Sequence, residues 1–161
     1  MNPTKSTLKP LDPLARTSGA WAKKSNERVL VIADDEATRA ELVKLLSSEG
    51  FVVFDQPSAI GATRAIRDHN IRSVVVEVGG PGMRGEKLVS VLRENPRLDG
   101  LVIVVIAAND GSEPSQKGLE TADAILSDRD VEFRLTPLLA RLLRGSSFSP
   151  QSAFASASVK P

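Results

Sequence analysis

Apolar residues fall into short continuous runs, separated by stretches where they recur every three or four positions. Residues 28–33 (RVLVIA) form one run, rich in β-branched side chains as a strand buried on both faces should be. Residues 37–49 then place Leu42, Leu45, Leu46 and Glu49 on one helical face, and Gly50 stands where a helix ends. Residues 51–54 predict a second strand. Ser58 can cap a helix reaching His69, with Ala59, Ala62, Ala65 and Ile66 inward. Residues 72–76 (RSVVV) predict a third strand and residues 85–95 a third helix, which Pro96 stops. Residues 101–107 (LVIVVIA) are the most apolar strand, expected at the centre of the sheet. Pro114 and Gly118 weaken the fourth helix, predicted over 112–120, and residues 124–126 make a brief fifth strand.

The last element admits two forms. Val131, Leu135, Leu138, Leu139 and Leu142 fit one stripe of a helix capped by Asp130 and kinked at Pro137, which is the form favoured. Alternation of Val131, Phe133 and Leu135 allows instead a short helix that starts at Pro137. Repeated strand–helix units with right-handed crossovers predict an α/β three-layer sandwich around a five-stranded parallel sheet. The folded domain is expected over residues 28–144. Residues 1–27, with four Pro or Gly and no period, and the Ser/Ala-rich residues 145–161 are expected to be unfolded tails.

Composition narrows the classes. No apolar run approaches the ~20 residues of a membrane helix, so membrane insertion is not expected. The basic start lacks the apolar centre of a secretory signal. Zero Cys excludes disulfides and thiolate chemistry, and a cytoplasmic location is the default expectation. Residues 1–27 carry five basic side chains against Asp12 and Glu27, whereas residues 28–144 carry 15 basic and 18 acidic. An acidic folded unit argues against nucleic-acid binding.

Candidate chemistry concentrates at strand ends. Asp34 and Asp35 end the first run, and Glu77 ends the third, 42 residues after Asp35. In a parallel sheet these ends converge on one crevice. Asp34, Asp35 and Glu77, with a carbonyl near Gly79, could supply oxygen ligands to Mg²⁺ or Ca²⁺. His69, the only histidine, suits a helix C-terminus as a surface cation. Gly79-Gly80-Pro81-Gly82 lacks the ending of a phosphate loop and reads as a turn. Leu8, Leu11, Leu14 and Trp21, among basic residues and prolines, make residues 1–27 a candidate docking peptide for another protein or for the acidic domain itself.

Over residues 28–144 the chain resembles the receiver domain of bacterial two-component response regulators, a flavodoxin-like fold. VLVIADDEATR is similar to that family's first strand and acidic pair. VVVEVGGPGMRG is similar to its third strand and following loop, with Pro81 four residues beyond the phosphoacceptor position, and TADAIL is similar to its fifth strand. The resemblance puts Glu77 at the phosphoacceptor Asp, Ala107 at the switch Ser/Thr, Ile125 at the aromatic switch position and Asp128 at the Lys.

Phosphoryl transfer to a carboxylate needs in-line placement and fixed positive charge on the phosphoryl oxygens. The extra methylene of Glu77 moves its carboxylate by ~1.5 Å, and a misplacement of ~1 Å already costs on the order of 10²-fold. Asp128 repels where Lys would attract, and Ala107 has no hydroxyl. The expectation is a degenerate, stand-alone receiver, not an enzyme, that acts as a protein-interaction module. Glu77 is then either a standing mimic of the phosphorylated state or part of a derelict site. Two alternatives stay open: an atypical receiver that still takes phosphate in a phosphorelay, and a scaffold or localisation factor acting through its tails. The resemblance implies a partner surface on the fourth helix, fifth strand and last helix, open to another protein or to a second copy.

Overall fold

The computed structural model describes residues 26–78, 85–107 and 120–159, with side chains of 85–86 and 155–159 excepted. The fourth helix expected over 112–120, the turn with Pro81, and residues 1–25 lie outside the described residues.

The apolar runs become β1 (Arg28–Ile32), β2 (Val52–Gln56), β3 (Ser73–Val78), β4 (Val102–Ala107) and β5 (Ala124–Ser127). Between and after them lie α1 (Glu36–Ser48), α2 (Ala62–Asp68), α3 (Gly85–Glu94), a 3-10 turn (Pro96–Leu98), α4 (Val131–Arg144) and α5 (Pro150–Val159). All strands are parallel, in the order β2-β1-β3-β4-β5. The central strand is therefore β3, not the more apolar β4 that the sequence suggested. Both are flanked on each side, so hydrophobicity cannot rank them.

The sheet separates two cores, and strand alternation assigns the residues. Leu30 and Ile32 join Val74, Val76, Ile66, Leu88, Val89 and Leu92 on one face. Val29 and Val31 join Val75, Val104, Leu42, Leu46, Leu135 and Leu139 on the other. Burial of each such side chain contributes roughly 1.5–3 kcal/mol.

Helix α2 starts at Ala62 with Gly61 as its N-cap, three residues later than the cap expected at Ser58. The Gln56 amide donates to the carbonyl of Ile60 (2.9 Å) and to that of Ser58, while the Ser58 hydroxyl accepts from the Ile60 amide (3.3 Å). These bonds hold residues 56–60 as a turn, and Gly61, at φ +80°, begins the helix. Helix α4 is continuous through Pro137, as the longer form required, but the Asp130 side chain makes no capping bond. Asp130 faces Arg134 at 3.9 Å instead.

The C-terminal segment departs most from expectation. Residues 150–159 form α5, and Phe148 is buried, only 6% exposed. Ala153 and Phe154 pack on the α2/α3 core, and α5 meets both α2 and the 3-10 turn. Sparse apolar residues among serines suffice because Arg72 fixes the path between the helices. Its guanidinium donates to the carbonyls of Leu143 (3.2 Å), Ser146 (2.8 Å) and Phe148 (2.9 Å). The Ser146 hydroxyl donates to the Gly100 carbonyl at 2.9 Å. Gly100 sits at φ +90°, with Phe148 close beside its missing Cβ.

Arg72 also pairs with Glu27, which is buried and so belongs to the folded unit rather than to a leading tail. Burial lifts the Glu27 carboxyl above its ordinary pKa, against the opposing pull of Arg72.

Candidate functional site

The strand ends build the site as parallel pairing requires. Glu77 lies beside Ile106 in register, and Val78 beside Ala107, which in turn lies beside Ser127. The Asp128 amide donates to the Ala107 carbonyl at 3.2 Å, so Asp128 leaves the sheet next to Ala107. Glu77, half-buried, and Asp128, exposed, both line a cleft of about 610 Å³ whose walls are α1 and the start of α4. Two carboxylates and a methyl group thus meet at the C-terminal edge of β3–β5, with Ile125 half-exposed on the last strand.

The acidic pair behaves differently. Asp34 and Asp35 are both exposed at the end of β1. Asp35 is the N-cap of α1, and its Oδ2 accepts from the Thr38 amide (2.8 Å) and the Thr38 hydroxyl (2.9 Å). Those bonds, the amide first, hold its pKa below the usual carboxylate value. Arg39 stands on the same turn. It donates to the Ala33 carbonyl at 2.9 Å and to Asp55 at 3.1 Å, fixing the end of β1 against that of β2.

Among the described residues, no three His, Cys, Asp or Glu side chains are gathered so that they could hold a metal. Asp34, Asp35 and Glu77 sit on neighbouring strand ends, yet the Asp35 carboxylate is turned to its own helix. Oδ2 of Asp35 is thus engaged by α1, and the carbonyl near Gly79 that belongs to the expected oxygen set lies outside the described residues.

Thr38 and Arg39 escaped the sequence reading. A capping acid followed by Thr three positions later was a usable signal for Thr38. Nothing local marks Arg39, whose partner Asp55 is 16 residues away. His69 does end α2, but its ring stacks on Phe54, with centroids 4.3 Å apart and planes 17° apart. It serves as a packing lid at the edge of the sheet.

No family model matches the chain. Response regulator MprA of Mycobacterium sp. (strain KMS) is 33% identical over 116 residues, which are 71% of this chain and 48% of that protein. The chain spans about half the length of the curated relatives it matches. The fold is similar to the signal receiver domain of a signal transduction histidine kinase from Syntrophus aciditrophicus, with TM-score 0.65 and 20% identity over 74% of this chain and 91% of that one. It is also similar to response regulator protein TrrA from Thermotoga maritima in complex with Mg(2+)-BeF, with TM-score 0.62 and 20% identity over 72% of this chain and 98% of that one. No helix among the described residues is long and apolar enough to cross a membrane. Sheet order, acidic residues at the strand ends and likeness to these proteins agree: the chain has the receiver-domain fold and is similar in sequence to response regulators of two-component signalling.

Proposed function

We propose that this receiver does not take phosphate at Glu77 and acts in the cytoplasm as a protein-interaction module. The single observation that carries this reading is the trio at the edge of β3–β5. Glu77 and Asp128 line one cleft with Ala107 between their strands, in a place where phosphoryl transfer needs fixed positive charge and a hydroxyl. A phosphoryl group brought to Glu77 would meet the negative charge of Asp128.

The partner surface includes β5 and α4, where large apolar side chains face solvent. Phe133 is 75% exposed and Ile125 50%. Exposed aromatic and aliphatic anchors of this kind are the usual core of a protein contact.

Acetyl phosphate with Mg²⁺, followed by intact-mass measurement, tests the first half. The unaltered chain is expected to keep its mass. The triple variant Glu77→Asp/Ala107→Thr/Asp128→Lys is expected to gain one hydroxylamine-labile phosphoryl group. A phosphoryl group on the unaltered chain, absent from Glu77→Gln, would sink the reading.

A further inference from the structure

Below Glu77 the cleft runs on between α1 and α4, where Leu42, Leu45, Ile106 and Val131 supply an apolar lining. Glu41 and Glu132 are exposed on its rim. With Glu77 and Asp128 they set four carboxylates against the lone ammonium of Lys44 in this lining. An apolar groove with acidic rims selects a basic segment that carries a few large apolar side chains.

This chain carries such a segment ahead of β1. Residues 1–25 hold Lys5, Lys9, Arg16, Lys23 and Lys24 against the single Asp12, with Leu8, Leu11, Leu14 and Trp21 among them. Their point of attachment is fixed by hydrogen bonds. The Phe51 amide donates to the Leu46 carbonyl near the end of α1 (3.1 Å), and the Val52 amide to the Glu27 carbonyl (2.8 Å). Arg72, which pairs with Glu27, also donates to the Leu143 carbonyl near the end of α4 (3.2 Å). Glu27, which the leading segment precedes, therefore lies near the C-terminal ends of the two helices that wall the groove. Trp21 is six residues from Glu27, a reach of up to ~20 Å when extended. The α1 wall from Thr38 to Ser48 is about 15 Å long at 1.5 Å per residue.

We propose that residues 8–24 of this chain occupy the α1/α4 groove, with Trp21 and Leu14 on its apolar lining and Arg16, Lys23 and Lys24 against Glu41 and Glu132. The same contact covers the approach to Glu77 and Asp128 from this side. It holds back any partner that uses the strand-end cleft, and it does not depend on whether Glu77 accepts phosphate.

The chain has one Trp and no Tyr, so tryptophan emission of the full chain reports Trp21 alone. At low salt the emission is expected to lie to the blue of N-acetyltryptophanamide, with reduced acrylamide quenching. It should move to the red in ~1 M salt, where the Debye length is ~3 Å. Lys23→Glu/Lys24→Glu should give the same red shift. So should Glu41→Lys/Glu132→Lys, with unchanged far-UV circular dichroism. Combining both pairs should restore the blue emission. Free-like emission in the unaltered chain overturns the proposal, as does a blue emission that ignores both charge pairs. A blue shift that appears only as protein concentration rises assigns the groove to a second copy and also overturns it.

Discussion

Replacing Arg72 by Met should cost more than any other single surface substitution in this fold. The guanidinium is three-quarters buried and donates to three carbonyls at 2.8 to 3.2 Å, besides pairing with Glu27. Hydrogen bonds to a charged group contribute ~1.5–3 kcal/mol each when buried. Solvent can replace part of that here, and about 3 kcal/mol is expected from the carbonyls. Glu27, its side chain 10% exposed, is then left as an unpaired charge. The total becomes about 3–5 kcal/mol, the range for breaking a buried pair by removing one partner. That is a large share of the ~5–15 kcal/mol that holds a domain together.

The pH dependence carries the sharper sign. Burial already raises the Glu27 pKa, and Arg72 supplies the causes that lower it. Without Arg72 the folded value moves further up. A raised folded pKa contributes stability below the unfolded value, and loses it as pH rises through the folded one. The deficit of Arg72→Met should thus shrink as pH falls from 7 toward the ordinary Glu value of 4.5. Urea unfolding followed by circular dichroism at several pH values measures both effects. Arg72→Met/Glu27→Gln should recover about 1–2 kcal/mol at neutral pH by removing the stranded charge. A loss under ~1 kcal/mol, or a deficit independent of pH, would refute the reasoning.

Other substitutions probe separate parts. Asp35→Ala removes both bonds from Thr38, so amide exchange at residues 36–39 should quicken. Because those bonds depress the Asp35 pKa, their contribution holds above its unfolded value and is lost as pH falls through the folded one. Gly100→Ala should destabilise by roughly 1–2 kcal/mol in urea melts, because a side chain at φ +90° is strained and its Cβ would stand 3.3 Å from that of Phe148. Arg93→Ala should cost about 1–3 kcal/mol and expose the amides of β5 to exchange, since Arg93 donates to the carbonyls of Leu101 and Thr121 and to Asp123, each at 2.7 Å. Unchanged exchange at residues 124–127 would show that Arg93 does not hold that strand in place.

What the sequence disclosed was whatever repeats at short range. The apolar runs located all five strands, most clearly β1, β3 and β4, where burial on both faces leaves few polar positions. Leu42, Leu46, Leu135 and Leu139 were legible as inward stripes for the same reason. Ser58 misled because capping propensity competes with turn chemistry, and the Gln56 amide decides the contest two residues upstream. The C-terminal helix was illegible. Phe148 and Phe154 form no period, and the group that orders them, Arg72, is 76 residues from Phe148. At the site, Asp34, Asp35 and Glu77 were placed at strand ends by topology, and Ala107 and Asp128 by the family resemblance. The Asp35 carboxylate turns to the amide and hydroxyl of Thr38, a contact that the spacing of the two residues could have signalled.

The fold-back at Arg72 also makes the domain mechanically lopsided. Strand β1 is bonded to β2 on one side and β3 on the other, so tension entering through Glu27 loads two ladders in shear along their length. Tension entering through α5 meets no strand ladder, only the Arg72 guanidinium, the Ser146 hydroxyl and the packing of Phe148, Ala153 and Phe154. A molecule stretched between its ends would yield first at residues 145–159, at low force and reversibly. The sheet would rupture only afterwards.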